Sequence, residues 1–310
     1  MALVDPTVTT GAVRARLAGQ RRDLAGPLFR IGLLAGLGLA LLVLAVLVLD
    51  VVTGGWSVLS TRPLDFLGGT LRSQADEAGV FQGLRGSFWI GVFTVGLAFP
   101  IGISAAVYLE EYAPRTWFTR FISVNIRNLA GVPSVVYGLL GLAVFVKALG
   151  SFTGGATVMA AGITLAIIVL PIVIITSSEA IRAVPQSIRE AGYGVGATRW
   201  EVIRSHVLPY AAPGIITGTI LALARALGEA APLILVGAIT GRLAEKGTLL
   251  DVGQLDERFT AMPIVITSWT QQHQPGFQTA AAAAIVVLLL VVLVANAAAI
   301  LLRNRFEKRR

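Results

Sequence analysis

The sequence predicts an all-α polytopic membrane protein with six transmembrane helices. Three observations predict it. Hydrophobic residues make up 55% of the 310 and charged residues only 14%, against about 25% charged in an average soluble domain. The apolar residues fall into six runs long enough, at about 20 residues, to cross a bilayer. The Lys and Arg residues gather in alternate connections between those runs. Disorder is excluded, because it needs low hydrophobicity and high charge. With no cysteine there is no disulfide framework, thiolate metal site or Cys nucleophile.

The first run, Ile31–Leu49, is too long for a signal-peptide core and no small-residue cleavage site follows it, so a retained helix is expected, with Asp50 as its terminator. Gly86–Leu109, Asn128–Val146 and Ala148–Ser178 are the second, third and fourth runs, all uncharged. The fifth, about Ala212–Gly237, is interrupted by Arg225 and Glu229. The sixth, Phe277–Leu302, opens with the alanine stretch Ala280–Ala284. This gives one transmembrane domain, 31–302, between a tail at 1–30 and a tail at 303–310.

Charge orients these spans. Basic residues lie in the N-terminal tail (Arg14, Arg16, Arg21, Arg22, Arg30), the 2–3 connection (Arg115, Arg120, Arg127), the 4–5 connection (Arg182, Arg189, Arg199, Arg204) and the C-terminal tail (Arg303, Arg305, Lys308, Arg309, Arg310). These are seventeen of the 25 Lys and Arg residues. Seven lie on the other side: Arg62, Arg72, Arg85, Lys147, Arg242, Lys246 and Arg258. The richer side is the cytoplasmic one, so both termini are expected in the cytoplasm. The basic excess is thereby assigned to the membrane flanks, and no nucleic-acid partner is expected. Of the outer connections, 54–85 reads as loop. In 241–276 the run Met262–Trp269 is too short to span and reads as a short helix in the outer interface. Glu110 and Glu111 read as a solvated flank. His206 and His273 fall on opposite sides and cannot share a metal.

The cytoplasmic connection 179–212 is longer than a plain linker needs to be. Pro185 suits a first helical turn, Gln186–Tyr193 a short helix, and Gly192, Gly194 and Gly196 a sharp reversal. Ala197–Val207 suits a second short helix with Trp200, Ile203 and Val207 at helical spacing. Pro209 and Pro213 punctuate the entry to span five. The order Glu190–Ala191–Gly192, three residues, Gly196, nine residues, His206, one residue, Leu208–Pro209 resembles the EAA loop of ABC importer permeases. It departs from that pattern at Gly192, where Ala is usual, and at His206, where Ile is usual. The resemblance implies a type I ABC importer permease (MetI-like) fold. In it Glu190, Ala191, Gly192, Gly196, Arg199, Leu208 and Pro209 couple the spans to an ATPase. The bland alternative is a helix pair resting on the membrane. No Gly-Lys followed by Ser or Thr occurs, so the resemblance places ATP and Mg on a partner ATPase, with no cofactor on this chain.

Arg225 lies twelve residues beyond Pro213, about 18 Å at the helical rise. Each intramembrane charge there costs at least about 2.5–3.5 kcal/mol. Four residues apart, Arg225 and Glu229 share a helix face and can pair. One reading is a pair that only fixes packing. The other is an oxyanion relay, in which the guanidinium fork takes phosphate and Glu229 favours a protonated oxyanion over a full dianion. Pro133–Ser134 offers a freed carbonyl and a hydroxyl opposite Arg225. Gly32 and Gly36 give span one a small-residue face. The run Arg225–Ala226–Leu227–Gly228–Glu229–Ala230–Ala231–Pro232–Leu233 resembles the A-type permeases of phosphate ABC importers (PstA). So do Tyr108–Pro114, Asn128–Gly138 and Leu208–Ile215, and the resemblance covers roughly 85–305. It implies a substrate pathway through Arg225 and Glu229, to which the Pro133–Ser134 reading adds Ser134. It also implies four partners: a second permease, an ATPase dimer, an extracytoplasmic phosphate-binding protein and the lipid of the cytoplasmic (inner) membrane. A permease for another oxyanion, or a stand-alone proton-coupled carrier or intramembrane enzyme, stands as the alternative.

Overall fold

The computed structural model describes residues 25–240, 248–250, 255 and 257–307. Arg14, Arg16, Arg21, Arg22, Arg242, Lys246, Lys308, Arg309 and Arg310, used above for orientation, lie outside them. The described residues are helical and contain no strand. Met1–Val51 and Val52–Arg310 form two separate units.

Helix α1, Ala25–Thr61, is apolar all round, as a lipid-embedded helix is. Asp50 does not end it, because the helix runs on for another eleven residues. The short helix α2, Pro63–Gly68, follows, so 54–68 is helical rather than loop. Helix α3, Phe81–Val107, ends in a π turn, Tyr108–Tyr112.

The third span differs from expectation. Trp117–Ala130 forms an amphipathic helix, α4, with no buried residue. After a 97° bend, Ser134–Gly141 begins a second helix, α5, which a π stretch carries to Ala148. Pro133 cannot donate a helical hydrogen bond and disfavours helical backbone at the residue before it, which accounts for the bend. The fourth helix, α6, covers Val158–Arg182. It starts ten residues later than its apolar run because Gly154 and Gly155 adopt positive φ, and Thr157 accepts a hydrogen bond from Ala160 N–H at 3.4 Å.

The coupling segment holds α7, Gln186–Gly194, and α8, Arg199–Val202. A π turn, Ile203–Val207, leads from α8 straight into α9, Leu208–Gly228. The expected second short helix is therefore the start of span five. The wide turn accommodates Pro209, whose ring would clash with the carbonyl four residues back in a regular α-helix. Span five breaks after Gly228 and resumes as α10, Ala231–Val236. Helices α11, Met262–Thr270, and α12, Pro275–Glu307, complete the chain. Helix α11 is packed into the protein: Met262, Pro263, Ile264, Val265 and Trp269 are buried, with Trp269 against Phe66 and Phe277.

Helix α6 is central, and 67% of its most apolar window is buried, against 11% for α12. Ile90 and Ala98 of α3, Leu165, Val169 and Val173 of α6, Ala222 and Ala226 of α9 and Leu233 of α10 form one core. Lipid tails are as apolar as leucine, so span association relies on close packing of small residues. The alanine stretch does this work. Ala280, Ala281, Ala283 and Ala284 are buried, and a Cβ on Gly55 would sit 2.6 Å from the Ala283 nitrogen. Hydroxyls within the helices bond back to carbonyls, Thr94 to Ile90 at 2.8 Å and Thr164 to Ala160 at 2.7 Å, as an apolar surrounding requires.

Candidate functional site

Two regions hold the charged chemistry. The first is the break in span five. Arg225 occupies the last turn of α9, where the helix dipole favours a cation. Its Nε lies 3.5 Å from Glu229 Oε1. Glu229 is not on the same helix: its backbone is extended at φ −79° and ψ 113°. The pair therefore closes a helix end rather than sitting on a continuous face. Pro213 lies inside α9, so it does not mark the helix entry; Arg225 stands three residues before the helix end. Arg225 is 54% exposed and Glu229 19% within this chain. The guanidinium thus keeps a face open to a ligand or partner.

The break in span three leads to the same place. Helix α5 packs against α10, and a Cβ on Gly138 would lie 2.7 Å from Pro232 Cα. The two segments that follow the two breaks therefore run side by side. Ser134 opens α5, and among the described residues no hydrogen bond engages its hydroxyl or joins it to Arg225. The expected free carbonyl is absent. Pro133 O accepts from Val136 N–H at 3.0 Å, and Leu129 O, four residues before Pro133, accepts from the Tyr137 hydroxyl at 2.8 Å.

The second region is the coupling segment. Glu110 and Glu111 are not a solvated flank. Arg182 binds Glu110 with two hydrogen bonds, 2.6 and 3.2 Å. Arg189 of α7 binds Glu111 Oε1 at 2.7 and 3.1 Å, with the two side chains 13% and 6% exposed. Arg189 also donates to Val184 O at 2.7 Å and Ile181 O at 3.0 Å, which satisfies carbonyls where α6 ends. The Arg199 guanidinium donates to the Glu111 carbonyl and lies 4.9 Å from the Tyr112 ring. Three arginines of the 4–5 connection thus converge on the π turn that ends α3.

Beneath them, Ala106, Ile181, Val184, Val202, Val207, Ala211 and Ile215 form a core. Of the expected apolar stripe, Ile203 and Val207 are buried but Trp200 is 53% exposed. Tyr193 and Val195, the latter 85% exposed, are likewise apolar side chains of this segment left open. Glu190, Ala191 and Pro209 are exposed as well, and Leu208 is partly buried. Gly196 takes φ +83°, a conformation glycine adopts freely. Thr198 and Glu201 form a reciprocal cap, Thr198 N–H to Glu201 Oε2 at 2.7 Å and Glu201 N–H to Thr198 Oγ1 at 3.4 Å. The sequence signal for it is the Thr-x-x-Glu spacing.

Gly192 has a packing reason. A Cβ there would meet Val202 Cγ2 at 2.8 Å, so the reversal closes more tightly than an alanine allows. Gly192→Ala is expected to cost about 1–3 kcal/mol by overpacking. The double variant Gly192→Ala/Val202→Ala should recover part of the lost melting temperature. An unchanged melting temperature in the single variant would refute the packing account.

Discontinuous spans mark transporters, because irregular backbone at membrane depth is tolerated only within protein or along a water-filled cavity. The architecture is that of a multi-pass membrane permease. The chain belongs to the family of binding-protein-dependent transport system inner membrane components, matched over residues 98–309. The probable ABC transporter permease protein YqgI of Bacillus subtilis (strain 168) is 36% identical over 173 residues, 55% of this chain and 58% of that protein. The phosphate transport system permease protein PstA of Mycobacterium leprae (strain TN) is 36% identical over 201 residues, 64% of this chain and 62% of that protein. PstC of Mesorhizobium japonicum (strain LMG 29417 / CECT 9101 / MAFF 303099) is 32% identical over 214 residues, 62% and 65%. The chain thus spans 58–65% of the length of these relatives. In fold it is similar to a bacterial alginate ABC transporter, with TM-score 0.62 at 16% identity over 93% of this chain and 98% of that one. The MetNI methionine ABC transporter gives TM-score 0.54 at 19% identity over 74% and 94%. The expected MetI-like permease fold is thereby established.

Proposed function

We propose that this chain is the A-type permease subunit of an ATP-driven phosphate importer, supplying half of the translocation pathway. The observation that carries the reading is the Arg225–Glu229 pair at the break of span five, beside the segment that follows the break of span three. A guanidinium there offers an oxyanion two parallel donors. When the pathway is empty, Glu229 compensates its charge. When phosphate enters, Arg225 exchanges partners, and Glu229 accepts a hydrogen bond from the P–OH that phosphate keeps at neutral pH and sulfate lacks. Ser134 supplies a further hydroxyl from the neighbouring segment. The PstA and PstC names of the relatives support the same cargo.

ATP and Mg belong to a partner ATPase dimer, which docks on the segment that exposes Tyr193, Val195 and Trp200 along with Glu190. The arginine clamp makes that segment rigid, so a push on α7 reaches α3 and α6 through ion pairs instead of being absorbed. A second permease and an extracytoplasmic phosphate-binding protein complete the importer. Both termini face the cytoplasm of the inner membrane.

The test is reconstitution with an ATPase, a second permease and a binding protein in proteoliposomes, followed by ATP-dependent uptake of labelled phosphate. Uptake at the expense of ATP is expected, and Glu190→Ala should leave ATP hydrolysis running without transport. Uptake by this chain alone, or uptake of phosphate with no ATPase retained through purification, would refute the assignment.

A further inference from the structure

The end of α3 opposite the coupling segment carries chemistry that the pathway pair does not use. Arg85, in the first turns of α3, is only 4% exposed, and its Nη2 has no hydrogen-bond partner. Among the described residues no carboxylate pairs with it. The Thr260 hydroxyl, 1% exposed, is also without a partner. Both line one cleft, open to solvent, together with Gln82, Trp89, Glu257 and Arg258. Arg85 and Glu111 are 26 residues apart along α3 and its π turn, about 39 Å at the helical rise, so this cleft is far from the coupling end.

An arginine stays charged at any working pH, and a buried charge without a counter-charge is among the costliest features a fold can hold. A buried hydroxyl with no partner adds to that cost. Both lie on a frame that keeps them in place. The Ser87 hydroxyl accepts from Met262 N–H at 2.9 Å. Phe259 O accepts from Ile239 N–H at 3.0 Å. Gly86 lies against the Thr260 carbonyl with no room for a Cβ. Among the described residues neither donor meets an acceptor of its own, which leaves both available to an anion.

We infer that this cleft binds a small tetrahedral oxyanion of the phosphate type, with Arg85 and Thr260 as buried donors and the exposed Arg258 at its mouth. Glu257, also at the mouth, forms no ion pair with either arginine among the described residues and is placed to accept from a protonated oxygen of the ligand. The choice of phosphate among oxyanions rests on the importer reading. The oxyanion class rests on the donors alone. The site is a waiting position at the far end of the chain, before the ligand meets Arg225.

The test uses the purified full chain in a maltoside detergent, which carries no phosphate, with labelled inorganic phosphate in equilibrium dialysis. Saturable binding is expected. Arg85→Gln should weaken it at least about tenfold and Thr260→Val about two- to tenfold, at unchanged melting temperature for the threonine variant. No saturable binding by the unaltered chain would overturn the inference. So would saturable binding that Arg85→Gln and Thr260→Val both leave unchanged. Short-chain phosphatidylglycerol titrated in the same way tests the lipid source: Arg85-dependent binding of it, with none of inorganic phosphate, also overturns the assignment. If reconstituted vesicles fail to import phosphate yet Arg85-dependent phosphate binding persists, the importer reading falls and the site stands.

Discussion

Replacing Glu111 with alanine should destabilise the permease by about 3–5 kcal/mol, the usual cost of leaving one partner of a buried ion pair uncompensated. Arg189 is 13% exposed and has no other carboxylate within ion-pair distance among the described residues. Its remaining bonds go to the Ile181 and Val184 carbonyls, which do not neutralise it. The loss should appear as a fall in melting temperature of the detergent-solubilised chain. The double variant Glu111→Met/Arg189→Met removes both charges and fills their volume, so it should recover most of the stability. It should not recover transport, because the tether between α7 and the end of α3 is gone. ATP hydrolysis by the reconstituted complex should then proceed without phosphate uptake. A double variant that transports normally would show that the pair only stabilises the fold. Glu110→Ala should have the smaller effect, since its partner Arg182 is 59% exposed and exposed pairs contribute little.

That contrast explains how much could be seen in the sequence. The six runs, their alternating basic connections and the EAA spacing were legible because each is a local pattern of composition or spacing. Glu110 and Glu111 read as a solvated flank for the same reason. Their partners lie about 70 residues or more away, and nothing local distinguishes a buried carboxylate from an exposed one. The bends were half legible. Pro133 announced a freed carbonyl, but whether a proline kinks a helix or ends it depends on what packs nearby. Pro100 and Pro171 sit inside α3 and α6, whereas Pro133 and Pro232 stand where α5 and α10 begin and pack on each other. Gly192 looked like a tolerated departure from a motif. Only the position of Val202 shows why a larger residue is excluded. Met262–Trp269 is a short helix as expected, but nothing local announced that Trp269 packs between Phe66 and Phe277.

At the break of span five the expected result is a separation of affinity from selectivity. Arg225→Gln removes the charged donor and should lower phosphate uptake by about 10- to 100-fold, the range of one or two charge-assisted hydrogen bonds. Arg225→Lys should fall between, because an ammonium keeps the charge and loses the planar fork. Glu229→Gln keeps the shape and removes the negative charge. If Glu229 only compensates Arg225 in the empty pathway, this variant should transport phosphate and sulfate in the same ratio as the unaltered protein. If the carboxylate accepts from the P–OH and repels a full dianion, the ratio should shift toward sulfate while phosphate uptake persists. Paired uptake of labelled phosphate and labelled sulfate by the same vesicles reads the ratio directly, independent of how much protein is inserted. The extended backbone at Glu229 makes the second outcome the expected one. A carboxylate beyond the helix end is not held on the α9 face, so it can turn from Arg225 to a ligand without unwinding a helical turn. An unchanged ratio would reduce the pair to a packing device and move selectivity to the binding protein and the outer cleft.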